Sequence, residues 1–184
     1  MNKVILLILV LASAGNTPAQ EPLDPDLFQA GIFGDLDRTV TCVSGQAGDS
    51  FRQYFWAWVP DDLGLAYITL RLEIPDNLDL SVRPTFHPLV TDFILTHYPD
   101  GTQEWNMVFS DCPSGWVQVL DQPCVFFDDQ PGEINILADH SMMRDCHFVL
   151  NDLTVLNNLH LNDPDCDFVQ TSVISWGRAK SMFR

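Results

Sequence analysis

The chain has 184 residues, 46% of them hydrophobic, with 25 acidic against 9 basic side chains and a formal charge of −16. That length suits one domain with its own core, and the charge argues against nucleic-acid binding, because phosphate contacts need clustered Lys and Arg. The acid excess fits either solubility in an extracellular medium or a calcium-supported fold.

The first residues carry one cation, Lys3, then an apolar run over 4–11, then the small residues Ala12, Ser13 and Ala14. This is the pattern of a secretory signal peptide over 1–14, with 1–19 as the alternative because Thr17, Pro18 and Ala19 also suit a cleavage site. Eight apolar residues reach only about 12 Å as a helix, short of the roughly 20 residues that a bilayer core requires. No later segment is apolar enough to span a membrane. The expected location is therefore extracellular, at the cell surface or periplasmic, with no membrane insertion once the signal is removed. Export also permits disulfides among Cys42, Cys112, Cys124, Cys146 and Cys166. The absence of any Cys-x-x-Cys pair argues against zinc. The pairing expected first is Cys146 with Cys166, and next Cys112 with Cys124.

Residues 20–38 are rich in Pro and Asp and read as a linker or lead-in, with Gly31 and Gly34 breaking any helix or strand. The domain is expected over 39–170, opening on the β-branched run at 39–43. Residues 51–59 alternate with aromatic bulk on both sides: Phe51 and Phe55 on one, Tyr54, Trp56 and Trp58 on the other. The clearest strand is 65–74, where Ala66, Ile68, Leu70, Leu72 and Ile74 form a core strip opposite Tyr67, Thr69, Arg71 and Glu73. Strands follow at 90–97 and 102–109, joined by the tight turn Tyr98, Pro99, Asp100, Gly101, in which proline presets φ and glycine accepts a positive one. Further short strands are read at 116–120, 124–127, 133–137, 146–150 and 153–161, with a loop over 138–144. Short strands with turn signals every 8 to 12 residues describe an all-β antiparallel sandwich.

Catalytic motifs are absent from the sequence: there is no nucleophile elbow, zinc-binding helix, phosphate-cradling glycine loop or dinucleotide fingerprint. A non-enzyme is expected. Tyr54, Trp56 and Trp58 could instead stack on sugars or on a partner protein, since rings bring contact area at little entropic cost. Oxygen-rich turns at Asp76, Asn77 and Asp79, and at Asp163 and Asp165, are the candidates for calcium, the only cofactor considered. The tail over 171–184 holds Trp176, Arg178, Lys180, Phe183 and Arg184 and is basic on an otherwise acidic chain. As one or two helical turns it would dock on the domain's acidic surface or serve as a recognition peptide.

Residues 65–80, an alternating strand running into a Pro and Asp turn with a short apolar continuation, resemble the early strand of cohesin-like secreted modules. The resemblance extends in strand rhythm over about residues 40–168. It implies an immunoglobulin-like sandwich of the kind that serves adhesion or scaffolding on bacterial exteriors. Residues 111–117, 153–159 and the ending 175–184 are similar to exported bacterial proteins with no activity to carry over. The sequence thus points to an exported, non-catalytic module for protein binding, adhesion or cell-surface assembly, with a carbohydrate-binding module as the alternative.

Overall fold

The computed structural model describes residues 19–80 and 83–165. The signal-peptide residues 1–14, Cys166 and the tail residues Trp176, Arg178, Lys180, Phe183 and Arg184 lie outside them.

The described residues form fourteen strands and no α-helix: β1 (Gln29–Phe33), β2 (Cys42–Val43), β3 (Ser50–Val59), β4 (Leu65–Glu73), β5 (Leu78–Asp79), β6 (Thr85–Phe86), β7 (Val90–His97), β8 (Gln103–Phe109), β9 (Gly115–Phe126), β10 (Gly132–Ile136), β11 (Met142–Asp145), β12 (Leu150–Asp152), β13 (Thr154–Asn157) and β14 (Leu159–Leu161). A single 3-10 turn, Ala138–His140, precedes β11. Two sheets result. The first has the order β13-β1-β3-β9-β5 with β6 also on β9; the second runs β12-β11-β4-β10-β14-β2, with β8 on β4 and β7 on β8. The architecture is the all-β sandwich expected. It is not wholly antiparallel, because β1 runs parallel to β13 and β2 parallel to β14.

Local alternation positions the core. In β3, Gln53, Phe55, Ala57 and Val59 are buried while Arg52, Tyr54, Trp56 and Trp58 are half-exposed on the outer face. In β4, Ile68, Leu70 and Leu72 are buried as the period of two requires. Between the sheets, Phe55 stacks on Trp105 with ring centroids 6.1 Å apart. Each large apolar side chain so buried contributes roughly 1.5 to 3 kcal/mol.

Ala66 departs from the expected core strip. Leu65 pairs with Asp145 and Tyr67 with the adjacent Arg144, so Ala66 is the extra residue of a β-bulge. The bulge resets the alternation: Leu65 enters the core and Ala66 borders an outer groove.

Other boundaries also move. The supposed lead-in contains β1, which is buried at all five positions and lies between β3 and β13. Gly31 does not break it; a Cβ there would strike the Asn157 side chain and the Phe33 ring, so close approach of chain demands the glycine. The two strands read at 116–120 and 124–127 are one, β9. Pro123 is tolerated within it because, among the described residues, β6 covers Leu120 and Asp121, β5 covers Val125 and Phe126, and Pro123 itself has a strand partner in β3 alone, at Arg52. The loop read at 138–144 contains β11, and the strand read at 153–161 is split at Asn158 as the chain crosses from one sheet to the other. The turn at 98–101 forms as read, with the Gly101 amide donating to the Tyr98 carbonyl at 3.1 Å and Gly101 at φ +85°.

Both expected disulfides are overturned by a bond between Cys112 and Cys146. Cys42 is also disulfide-bonded, and Cys124 is free and buried. The reason is topological. Cys112 follows β8 and Cys146 follows β11, the two strands that flank β4, whereas Cys124 points into the core from β9. Among the described residues no helix is long and apolar enough to cross a membrane.

Candidate functional site

The outer face of the second sheet is built from β11, β4, β8 and β7 in that spatial order. Alternation sends Met143, Ile68, Leu70, Trp105 and Met107 inward, and so aims Met142, Arg144, Tyr67, Thr69, Glu104, Asn106, Val108 and Ile94 outward. A groove of about 600 Å³ runs across this face, walled by Ala66, Tyr67, Val108, Met142, Phe148 and Leu150.

Its floor is a connected polar row. The Tyr67 hydroxyl donates to Asn106 Oδ1, and the Thr69 hydroxyl reaches the same oxygen at 2.8 Å. The Asn106 amide donates to Glu104 at 2.9 Å, and the Tyr98 hydroxyl donates to the other oxygen of that carboxylate at 3.0 Å. The bond to Glu104 raises the Tyr98 pKa above its ordinary value. Arg71 closes the row: it lies 3.9 Å over the Tyr98 ring and pairs with Asp100 at 2.9 Å. Hydrogen bonds from Thr102, then the charge of Arg71, hold the Asp100 carboxyl below its usual range. These side chains hold one another in fixed rotamers, so the floor is pre-organised.

The walls are apolar and open. Phe148 is 76% exposed, Leu150 55%, and Val108 and Met142 39% each; outside the groove on the same sheet face, Ile94 is 58% exposed. Several large apolar side chains gathered on one sheet face constitute a patch of the kind that marks an interaction surface. Phe148 owes its position to a tight loop between β11 and β12, in which it adopts φ +64°. Asp145 ties that loop, accepting the His147 and Val149 amides at 2.9 Å each and the Asn151 side chain at 3.3 Å. Burial alone would raise the Asp145 carboxyl; the hydrogen bonds from Val149, Asn151 and His147 outweigh it and bring its pKa below the ordinary value. The Cys112 to Cys146 bond fastens the same loop to the turn after β8.

The predicted aromatic platform lies on the opposite side, on the outer face of the first sheet. Trp56 and Trp58 meet Trp116 edge to face, with centroids 6.5 and 5.7 Å apart. The Arg38 guanidinium sits 4.2 Å over Trp116 and 5.1 Å over Trp56, and the Trp58 indole donates to the Pro25 carbonyl at 3.0 Å. Burial lowers the Arg38 pKa and raises that of Tyr54. Trp56, Trp58 and Trp116 thus pack on one another, with Arg38 over Trp56 and Trp116, while Tyr54, Trp56 and Trp58 stay half-exposed.

The residues considered for calcium lie in two turns, Asp76, Asn77 and Asp79 at the start of β5 and Asp163 and Asp165 after β14. Asn77 is buried and donates its side-chain amide to the Gln130 carbonyl at 2.6 Å, while Asp76 is exposed and Asp79 belongs to β5. Asp163 accepts the Asp165 amide at 2.9 Å and lies 3.6 Å from His160. Among the described residues no three His, Cys, Asp or Glu side chains converge as a metal site.

None of the groove walls stood out in the sequence. Their signal was present in Val108 and Ile94, apolar residues on the solvent side of two alternating strands, and in the run Phe148, Val149, Leu150 beside a cysteine.

The sequence matches no family model and no curated protein. Its fold does match solved structures. A cohesin module from a Clostridium perfringens family 33 glycoside hydrolase superposes with a TM-score of 0.59 at 9% identity, covering 74% of this chain and 98% of the other. A type I cohesin from Clostridium thermocellum, seen in a cohesin and dockerin complex, gives 0.57 at 12% identity over 77% of this chain and 97% of its own. The cohesin CaCohA2 from Clostridium acetobutylicum gives 0.57 at 10% identity over 74% and 90%. At these identities the likeness is one of architecture, and the chain has the cohesin-like β-sandwich fold.

Proposed function

We propose that this chain is an exported, non-catalytic protein-binding module that takes its partner on the outer face of β11, β4, β8 and β7. One observation carries the reading: Phe148, Leu150, Met142, Val108 and Ile94 stand exposed around a fixed polar floor. Apolar anchors around positioned hydrogen-bonding groups are the anatomy of a specific interface. The solved cohesins of like fold include complexes with dockerins, which agrees with a protein partner. Adhesion or assembly outside the cell is the role such a surface serves, in keeping with the signal-peptide pattern of the first residues.

We prefer this reading to a carbohydrate platform at Tyr54, Trp56 and Trp58 because Trp56 and Trp58 pack edge to face on Trp116 and Arg38 lies over Trp56. The test is capture from the extracellular fraction of the producing cells by the immobilised chain, compared across two variants. A protein retained by the chain and by Trp56→Ala, but lost with Met142→Asp combined with Leu150→Asp, supports the outer groove. Loss with Trp56→Ala alone, or glycan-array binding abolished by that variant, would sink it in favour of the platform.

A further inference from the structure

Strand β7 is the edge of its sheet, eight residues long, and among the described residues it pairs with β8 alone. Sheet edges offer unpaired amides and carbonyls to any other strand, and proteins normally blunt them with charge, proline or bulges. The beginning of β7 has such protection. A bulge separates Val90 from Asp92, and the Asp92 carboxylate accepts the Phe93 amide at 2.8 Å. From Ile94 to His97 there is no proline, no bulge and no Lys, Arg, Asp or Glu.

The inward side of the same strand is open as well. Phe93 and Leu95 face inward, paired with Met107 and Trp105, yet Leu95 is 37% exposed. They border a cavity of about 470 Å³ shared with Leu80, Pro84 and Trp105. Among the described residues, the edge from Ile94 to His97 therefore lacks cover along its backbone, and Leu95 is only partly covered beneath.

From this edge we infer that β7 pairs antiparallel with β7 of a second copy, about a two-fold axis at Ile94. In that register the outward residues meet outward residues and the inward meet inward. Ile94 faces Ile94 of the second copy, Asp92 faces Thr96 and Phe93 faces Leu95; the Phe93 amide leaves the Asp92 carboxylate to join the new ladder, which stops short of the bulged Thr91. Apolar residues oppose apolar ones, and the strand's single carboxylate opposes a hydroxyl, so no like charges stand directly across the ladder. The nearest repulsion is between Asp92 of one copy and Glu104 of the other, two strand spacings or about 10 Å apart, which salt at about 0.15 M screens. The pairing joins two sandwiches into one continuous sheet and sets their outer grooves side by side. A partner with two binding segments would then be held by both.

The test is sedimentation equilibrium of the full chain from low micromolar to about 0.5 mM, the range in which a small interface associates. A monomer–dimer equilibrium that strengthens with added salt is expected. Ile94→Lys, at an exposed site, should weaken it at least tenfold with unchanged circular dichroism. Ile94→Cys should form a covalent dimer on oxidation, while Val108→Cys, one strand further in, should not. Three results would overturn the pairing: a monomer over the whole range, a dimer indifferent to Ile94→Lys, or equal cross-linking by both cysteine variants. A monomer whose Leu95 amide resists hydrogen exchange would also overturn it, because another segment of the chain would then hold the edge.

Discussion

Cys112 and Cys146 are bonded to each other across 34 residues of sequence, and the bond joins the turn after β8 to the loop that presents Phe148. It links the ends of the two strands on either side of β4. Gly64 sits against it: a Cβ at that position would lie 2.9 Å from the Cys112 Cβ, and Gly64 has φ +64°. Cross-link, glycine and loop form one packed corner.

Replacing both Cys112 and Cys146 by Ser should cost about 2 to 4 kcal/mol of stability, mainly through the freed unfolded chain. Urea unfolding followed by tryptophan fluorescence measures it. A loss under about 0.5 kcal/mol would mean that the corner holds without the bond.

The bulge at Ala66 predicts an inversion of the simple alternation. Ile68→Ala, in the core, should cost about 2 to 5 kcal/mol, whereas Ala66→Asp, on the outer groove, should cost under about 1 kcal/mol. Equal large losses in thermal unfolding would place Ala66 in the core and remove the bulge.

Cys124 is fully buried, and burial pushes its thiol pKa well up. Its thiolate is therefore suppressed, and a thiol reagent such as DTNB should leave Cys124 unmodified in the native protein and react with it after denaturation. Rapid native labelling of Cys124, mapped by peptide mass, would contradict its position inside β9.

Asp145 gives the Phe148 loop a definite pH dependence. Its folded pKa is depressed, so the stability it contributes is full above the ordinary carboxylate value near pH 4 and is lost as pH falls through the lower folded value. The protection factors of the His147 and Val149 amides, read by NMR with the intrinsic pH dependence of exchange divided out, should fall over that acid window and stay level between about pH 5 and 8. In Asp145→Ala the same amides should exchange fast at neutral pH.

Arg38→Ala should uncover the faces of Trp56 and Trp116, shifting tryptophan emission to longer wavelength while the fold persists. If glycan binding appears only in that variant, Arg38 is what closes the platform. Unchanged emission would show that the rings shield one another without it.

How much was legible depends on the range of the forces involved. The period of two in β4 and β3, and the proline and glycine of the turn at 98–101, are local chemistry, and they gave strands and a hairpin that the structure contains. Strand β1 escaped notice because its glycine and brevity look like loop until Asn157 and Phe33 are brought beside it. Likewise β9 looked broken at Pro123, since only the gap between β5 and β6 makes a proline harmless there.

The sequence by itself determined an all-β sandwich, an acid-rich composition and the lack of any catalytic motif, because each follows from composition or from near-neighbour periodicity. Tertiary structure alone decided the disulfide, the outer groove and the packing of Trp56, Trp58 and Trp116 on one another. Each depends on which strands lie side by side, and that order is set by burial of whole faces rather than by any single segment. Phe148, Val108 and Tyr67 are far apart in the chain, and they meet only because β11, β4 and β8 are neighbours in one sheet.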